Sequence, residues 1–303
     1  MPSVMNTVAL VGSLAAGALA HGHVTGFRLD SVYEPGYSLD YYYAKQNGKE
    51  VPIVAAWSAE NLDNGFVDGT GYQTVDIVCH KKAAPGKKSA KIAAGGTVDF
   101  LWTAWPDSHM GPVLTYAAKC DGDCTTADPA TLKWVKIQES GYEDGTWASL
   151  ALIKNNNTGS ATIPADFAPG NYVLRHEIIA MHGAGSENGA QNYPQCVNVE
   201  VTGSGTATPE GVLGTELYKS TDPGILFSPY QAKVDYTPPG PPLYGKGSST
   251  TPTTPTTPYT PTTPSNGTVP ATSAAASAAA EDEYDCPSKK LRRHARDLFH
   301  SRH

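Results

Sequence analysis

Asn171-Tyr172-Val173-Leu174-Arg175-His176-Glu177-Ile178-Ile179-Ala180-Met181-His182 alternates with a period of two. Tyr172, Leu174, His176, Ile178, Ala180 and His182 share one face, and Val173, Arg175, Glu177, Ile179 and Met181 share the other. That period is a β-strand's, not a helix's. Further along, Val197, Val199 and Val201 alternate with Asn198 and Glu200, predicting a strand with one buried face. Upstream, Thr97–Trp102 reads as a strand after the Gly95-Gly96 turn, and Leu132–Ile137 reads as another. Short strands separated by Gly, Pro and Asn clusters predict an all-β, immunoglobulin/fibronectin-like antiparallel β-sandwich over residues 21–245, with long loops. Such loops are where a functional site is expected.

Composition agrees. Only 17% of the 303 residues are charged, and 30 Gly with 24 Pro disfavour a helical bundle or coiled coil. The net charge is −7, and residues 280–303 carry six Lys/Arg against five Asp/Glu, so the acidity lies in the body. An acidic body without a basic stripe argues against a nucleic-acid partner. Sixteen Tyr and five Trp suit a neutral, stackable substrate such as a sugar polymer.

The two ends differ from the body. Val8–Ala20 is apolar, too short to span a bilayer, and closes on Ala18-Leu19-Ala20, a small-x-small cleavage pattern. Residues 1–20 are therefore expected to be a signal peptide, with the mature protein secreted, soluble and free of a membrane span. Secretion favours disulfides. Cys120 and Cys124 bracket a tight Asp121-Gly122-Asp123 turn and are expected to pair, leaving Cys79 with Cys196; Cys286 is the odd cysteine. Asn156 and Asn266 head N-glycosylation acceptor sequences. Residues 246–280 form a Pro/Thr then Ala/Ser tract that cannot bury a core, and 281–303 a basic tail too short for a carbohydrate-binding module.

Cleavage after Ala20 would make His21 the N-terminus. One residue would then offer an amine and an imidazole nitrogen, a bite suited to Cu(II), which prefers nitrogen donors in a tetragonal plane. A second histidine is needed to complete a site. His109 lies in Trp105-Pro106-Asp107-Ser108-His109-Met110-Gly111-Pro112, a loop between an apolar strand and a Gly-Pro turn. Gln191 and Tyr193 fall on the same side of a strand that a Cys79–Cys196 bridge would fix, and His182 precedes them.

These segments resemble fungal lytic polysaccharide monooxygenases of auxiliary activity family 9, formerly glycoside hydrolase family 61. The resemblance rests on His21-Gly22-His23-Val24, the run Gly65-Phe66-Val67-Asp68-Gly69-Thr70-Gly71-Tyr72-Gln73, and Pro106-Asp107-Ser108-His109 with Gly111-Pro112-Val113. It extends through Asn171–Ala180, Gly189–Cys196 and Asp222-Pro223-Gly224-Ile225-Leu226, covering residues 21 to about 245. It implies one copper ion held by the His21 amine, its imidazole and His109, with Tyr193 axial. Gln191 and His182 would orient a bound oxygen species and supply protons, His176 being the alternative to His182. Tyr43 and Tyr230 resemble the family's flat-face aromatics that stack on glucose rings, and Tyr37 is a weaker candidate. The implied reaction is oxidative cleavage of β-1,4-glucan on a cellulose surface. It would use an external small-molecule or protein electron donor, with oxygen or hydrogen peroxide as co-substrate. A monomer is expected.

Two other functions compete. A glycoside hydrolase needs two carboxylates flanking the scissile bond. Asp76, Asp99 and Glu177 are available, but no spacing marks a pair, and Glu177 suits a structural partnership with Arg175. A non-catalytic polysaccharide binder would have no use for the combination of His21, His109, Gln191 and Tyr193.

Overall fold

The computed structural model describes residues 21–245. The expected signal peptide, the Pro/Thr tract, the basic tail with Cys286, and Asn266 lie outside the described residues. In chain order the elements are β1 (Val24–Leu29), β2 (Val32–Pro35), α1 (Leu39–Gln46), α2 (Asp76–Cys79), β3 (Ala90–Ala93), β4 (Thr97–Trp102) and β5 (Val113–Lys119). There follow β6 (Lys133–Ser140), β7 (Tyr142–Glu143), β8 (Thr146–Trp147), α3 (Ala148–Lys154), β9 (Thr158–Thr162), β10 (Gly170–Ala180), β11 (Gln191–Thr202) and β12 (Val212–Leu213).

Two sheets make the sandwich, one ordered β2-β1-β4-β9 and the other β12-β6-β5-β10-β11-β3. β7 and β8 form a separate short ribbon. Turn chemistry sets the hairpins. Asp30 and Ser31 both take positive φ, 47° and 71°, between Leu29 and its partner Val32, the backbone a two-residue hairpin loop requires. The Asp30 carboxylate then accepts from the Ala93 and Thr97 amides at 2.9 and 3.0 Å, tying that turn to the next strands. Gly95 supplies the φ of +84° for the predicted turn before β4.

β10 is buried along both faces, and its two side-chain sets enter different cores. Tyr172, Leu174, Ile178 and Ala180 pack between the sheets with Phe27, Phe100 and Val199. Val173, Ile179 and Met181 pack on the far side with Ile77 of α2, Trp134 of β6, and Tyr72 and Tyr218 from loops. Arg175 and Glu177, fully buried on that far side, pair with each other. Arg175 also donates from Nε to the Val78 carbonyl at 2.8 Å, and Glu177 accepts from Asn192 Nδ2 at 2.9 Å and from the Tyr218 hydroxyl. Such a pair is tolerated only because nearly every lone pair and proton is engaged.

Three details depart from the sequence reading. β11 is covered on both sides, because Asn198 receives Trp57 Nε1 at 2.6 Å and donates to the Gly86 carbonyl at 3.0 Å. β3 joins β11 in parallel, whereas the other paired strands among the described residues run antiparallel. The strand read at Leu132–Ile137 runs on to Ser140. Both expected disulfides are present, Cys79–Cys196 and Cys120–Cys124.

Candidate metal centre

Pairing registers deliver several chain segments to one end of the sandwich. β1 starts at Val24 opposite Trp102, the last residue of β4, so His21–His23 run beside the chain leaving β4. The His23 amide donates to Thr103 Oγ1 at 3.2 Å, and the Thr103 amide returns a bond to the His23 carbonyl at 3.0 Å. Across the core, β10 ends at Ala180 opposite Gln191. The Met181 amide donates to the Met110 carbonyl at 2.8 Å, so the β4–β5 loop lies along the end of β10. Gly111 permits that approach: a Cβ there would run into the Ile179 carbonyl.

The result is a cluster around His21. The His109 ring stands 5.7 Å from it, centroid to centroid, and nearly perpendicular at 80°. The Tyr193 ring lies 6.1 Å from His21. His109 is fixed by its backbone carbonyl, which accepts from Trp105 Nε1 at 3.0 Å, and by Ser108 Oγ, 3.1 Å from Nδ1. In the tautomer that donates from Nδ1 to Ser108, Nε2 keeps its lone pair free. Burial, then the neighbouring His182 and His21, push His109 down to about 4, so the ring is neutral across the ordinary pH range. His182 sits 4.2 Å from His109, and its Nδ1 is buried without a protein partner.

Tyr193 and Gln191, two residues apart on β11, point the same way as strand parity requires. The Tyr193 hydroxyl donates to Gln191 Oε1 at 3.0 Å, and Trp105 packs edge-on to Tyr193 at 4.9 Å. Burial, with Asp63 adding to it, pushes the phenol well up, so it stays protonated.

Among the described residues, no group of three or more His, Cys, Asp and Glu side chains is arranged to hold a metal ion. The side chains at the cluster supply two imidazoles and a phenol. The third nitrogen that a tetragonal site would use can come from the His21 amine, once nothing precedes it. Three nitrogens with a single neutral phenol oxygen fit copper better than a hard, oxygen-seeking cation.

Residues 21–237 match the family model for auxiliary activity family 9, formerly glycoside hydrolase family 61. The chain belongs to this family. It is 51% identical over 255 residues to an AA9 lytic polysaccharide monooxygenase A of Malbranchea cinnamomea, covering 82% of this chain and 75% of that one. It is 53% identical over 229 residues to one from Thermoascus aurantiacus, covering 74% and 99%. The solved structure of the glycoside hydrolase family 61 member Cel61B from Hypocrea jecorina superposes with a TM-score of 0.72 at 52% identity, covering 74% of this chain and all of that one. As an AA9 lytic polysaccharide monooxygenase, the chain is an oxidoreductase.

In this AA9 chain the remaining sequence-level candidates separate clearly. His182 joins the cluster and His176 does not: His176 is fully buried, stacked on Phe100 at 4.0 Å with Thr115 Oγ1 2.9 Å from Nδ1. Tyr230 is 68% exposed. Its segment is tied to the loop after His182, since the Phe227 amide donates to the Ala184 carbonyl at 2.8 Å. Tyr43 is half exposed on α1 with its ring edge-on to Tyr42. Tyr37 packs edge-on to Tyr41 against the inter-sheet core, which is a packing role. Asn156 is exposed with φ 52° before β9. Its neighbour Asn157 takes the Trp105 amide on Oδ1 at 2.9 Å.

The carboxylates that a hydrolase would need are dispersed. Asp76 accepts from the Lys82 amide at 3.0 Å, Asp99 from Ser160 Oγ at 2.7 Å, and Glu177 is sealed beside Arg175.

Two members of the cluster escaped sequence reading. Phe66 lies nearly parallel to the His21 ring at 5.9 Å and also faces Tyr193 at 6.0 Å. Trp105 supports both His109 and Tyr193. Phe66 sits inside a segment that carries the family resemblance and Trp105 immediately precedes one, so the motifs marked the neighbourhood but not either ring's task.

Proposed function

We propose that this AA9 enzyme is a secreted, copper-dependent lytic monooxygenase that cleaves β-1,4-glucan chains at a cellulose surface. It draws electrons from an external small-molecule or protein donor and uses oxygen or hydrogen peroxide as co-substrate. The observation that carries this reading is the perpendicular pair of His21 and His109 beside the Tyr193 phenol, with His21 where the family match begins. Residues 21–245 are the catalytic domain, followed by the linker and basic tail, and the enzyme acts as a monomer.

His21, through amine and imidazole, and His109 would hold the copper, with the Tyr193 phenol beside them. Copper supplies one-electron redox chemistry there. The protein's part is to place and feed the reacting atoms. Tyr193, kept protonated, contributes a neutral oxygen and leaves Gln191 Oε1 engaged by its hydroxyl, so the Gln191 amide group is free to donate outward. His182, with an unpartnered Nδ1, can hold or pass a proton beside that position. Tyr230, and Tyr43 on the same reading, would stack on glucose rings through exposed faces.

The test is the N-terminus. A protein retaining one Met before His21 has an amide in place of the amine and loses one nitrogen donor. It should bind Cu(II) far more weakly, with no oxidised oligosaccharides released from cellulose. Equal copper affinity and equal oxidised product in the extended and mature proteins would refute the proposed site.

A further inference from the structure

His80 is held in a backbone conformation that an L-residue rarely adopts. Its φ is 83° and its ψ 178°, a region occupied almost only by glycine. The residue is fully buried directly after Cys79, whose bridge to Cys196 pins one side. Its imidazole is satisfied at both nitrogens. The Lys81 amide donates to Nδ1 at 2.9 Å, which leaves the proton on Nε2, and Nε2 donates to the Gly65 carbonyl at 2.8 Å. Gly65 immediately precedes Phe66. On Phe66's other side, Val67 exchanges both backbone bonds with Asn192 at 2.9 Å. Phe66 is thus clamped from both flanks, and its ring lies against His21.

We propose that His80 is a positioning residue for the AA9 metal centre: its Nε2–H holds the Gly65 carbonyl so that Phe66 stays stacked against His21. The strained backbone is what aims the imidazole at Gly65 rather than into solvent. The inference rests on the copper reading only for its consequence; the clamp itself belongs to the metal-free protein. Burial pushes His80 down to about 4, which keeps the neutral Nε2–H form in place.

Two conservative variants divide the imidazole's functions. His80→Asn keeps an acceptor where Nδ1 stood but places nothing against Gly65, and both variants carry the same backbone strain as the parent residue. His80→Gln keeps a donor near the Nε2 position. In metal-free protein, the His21 ring protons should carry a ring-current shift from Phe66 in the NMR spectrum. His80→Asn should lose it and His80→Gln should retain most of it. On copper titration, His80→Asn should bind several-fold more weakly, with an altered Cu(II) EPR spectrum, and His80→Gln should stay close to the parent.

An unchanged His21 ring shift in folded His80→Asn would overturn the clamp. So would an Nδ1–H tautomer in the nitrogen-15 spectrum of the unsubstituted protein, a measurement that stands even if a variant fails to fold. Loss of the ring shift in His80→Asn, together with a parent protein that binds no copper, would keep the clamp and reject the copper reading.

Discussion

At the residue scale the Tyr193 hydroxyl and Gln191 share one hydrogen, and the two side chains act on different things. Gln191→Ala removes an outward donor without touching a nitrogen ligand. Copper should remain bound with unchanged stoichiometry, while oxidation of cellulose slows by about ten-fold or more, the loss typical when a partner outside the ligand set is removed. Initial rates at saturating reductant check this, and an unchanged rate would reject the role. The His176 ring gives a second prediction, on stability. Burial first, then Arg175, push it down to about 3, against a value near 6.5 for an unfolded histidine. Below about pH 6.5 the unfolded chain takes up a proton that the native ring refuses. Stability is therefore complete above that pH and falls, by up to about 1.4 kcal/mol per pH unit, as pH drops toward 3. His80, pushed down to about 4, adds to the same slope over a narrower window. Denaturation midpoints between pH 7 and pH 4 should shift less in His176→Gln than in the parent; identical slopes would exclude this linkage.

At the scale of elements, β10 carries the fold's central tension, an ion pair sealed between a strand and its loops. Arg175→Met leaves the Glu177 carboxylate buried without its cation, a loss of about 3–5 kcal/mol by chemical denaturation. Replacing Glu177 by Gln as well should recover part of that loss, because no net charge then stays buried; a double variant as unstable as Arg175→Met would contradict it. The alternation in Asn171–His182 assigns both faces of β10 from sequence alone, and the strand read at Thr97–Trp102 has those same bounds in the structure. The covered face of β11 was not legible, since nothing local to Asn198 announces that Trp57 and Gly86 will arrive from far upstream. The parallel partner β3 was hidden for the same reason: its pairing joins Ala90 to Val199, and strand period says nothing about distant neighbours. In the candidate centre, His109, Gln191 and Tyr193 were legible from motif and strand parity. Phe66, Trp105 and His80 were not, because their roles exist only once three loops meet.

At the scale of the whole molecule, the last contacts among the described residues bear on where the proposed catalytic domain ends. The Tyr244 amide donates to the Lys136 carbonyl at 2.8 Å, and its hydroxyl reaches Asp166 at 2.8 Å. Lys136, buried in the sheet, donates to the Pro239 carbonyl at 2.8 Å. A chain ending after Gly245 keeps all of these bonds and should melt within a degree or two of the full-length protein, with its copper intact. A chain ending before Pro238 strips them and should lose several degrees. Loss of several degrees by the chain ending after Gly245 would move the boundary into the Pro/Thr tract. Calorimetry on the three lengths decides it.

The second core, on the outer face of the six-stranded sheet, constrains how this enzyme can be diversified. The segment that sets Phe66 beside His21 goes on to bury Tyr72 in this core, and the segment that carries Tyr230 buries Ile225 there. Exchanging a whole loop for that of another enzyme, a common route to new specificity, would therefore pull anchors out from under the sheet. A combinatorial library restricted to outward-facing positions such as Leu62, Thr70, Glu187 and Tyr230 leaves those anchors in place. Retargeting this scaffold is a problem of repainting rather than rebuilding.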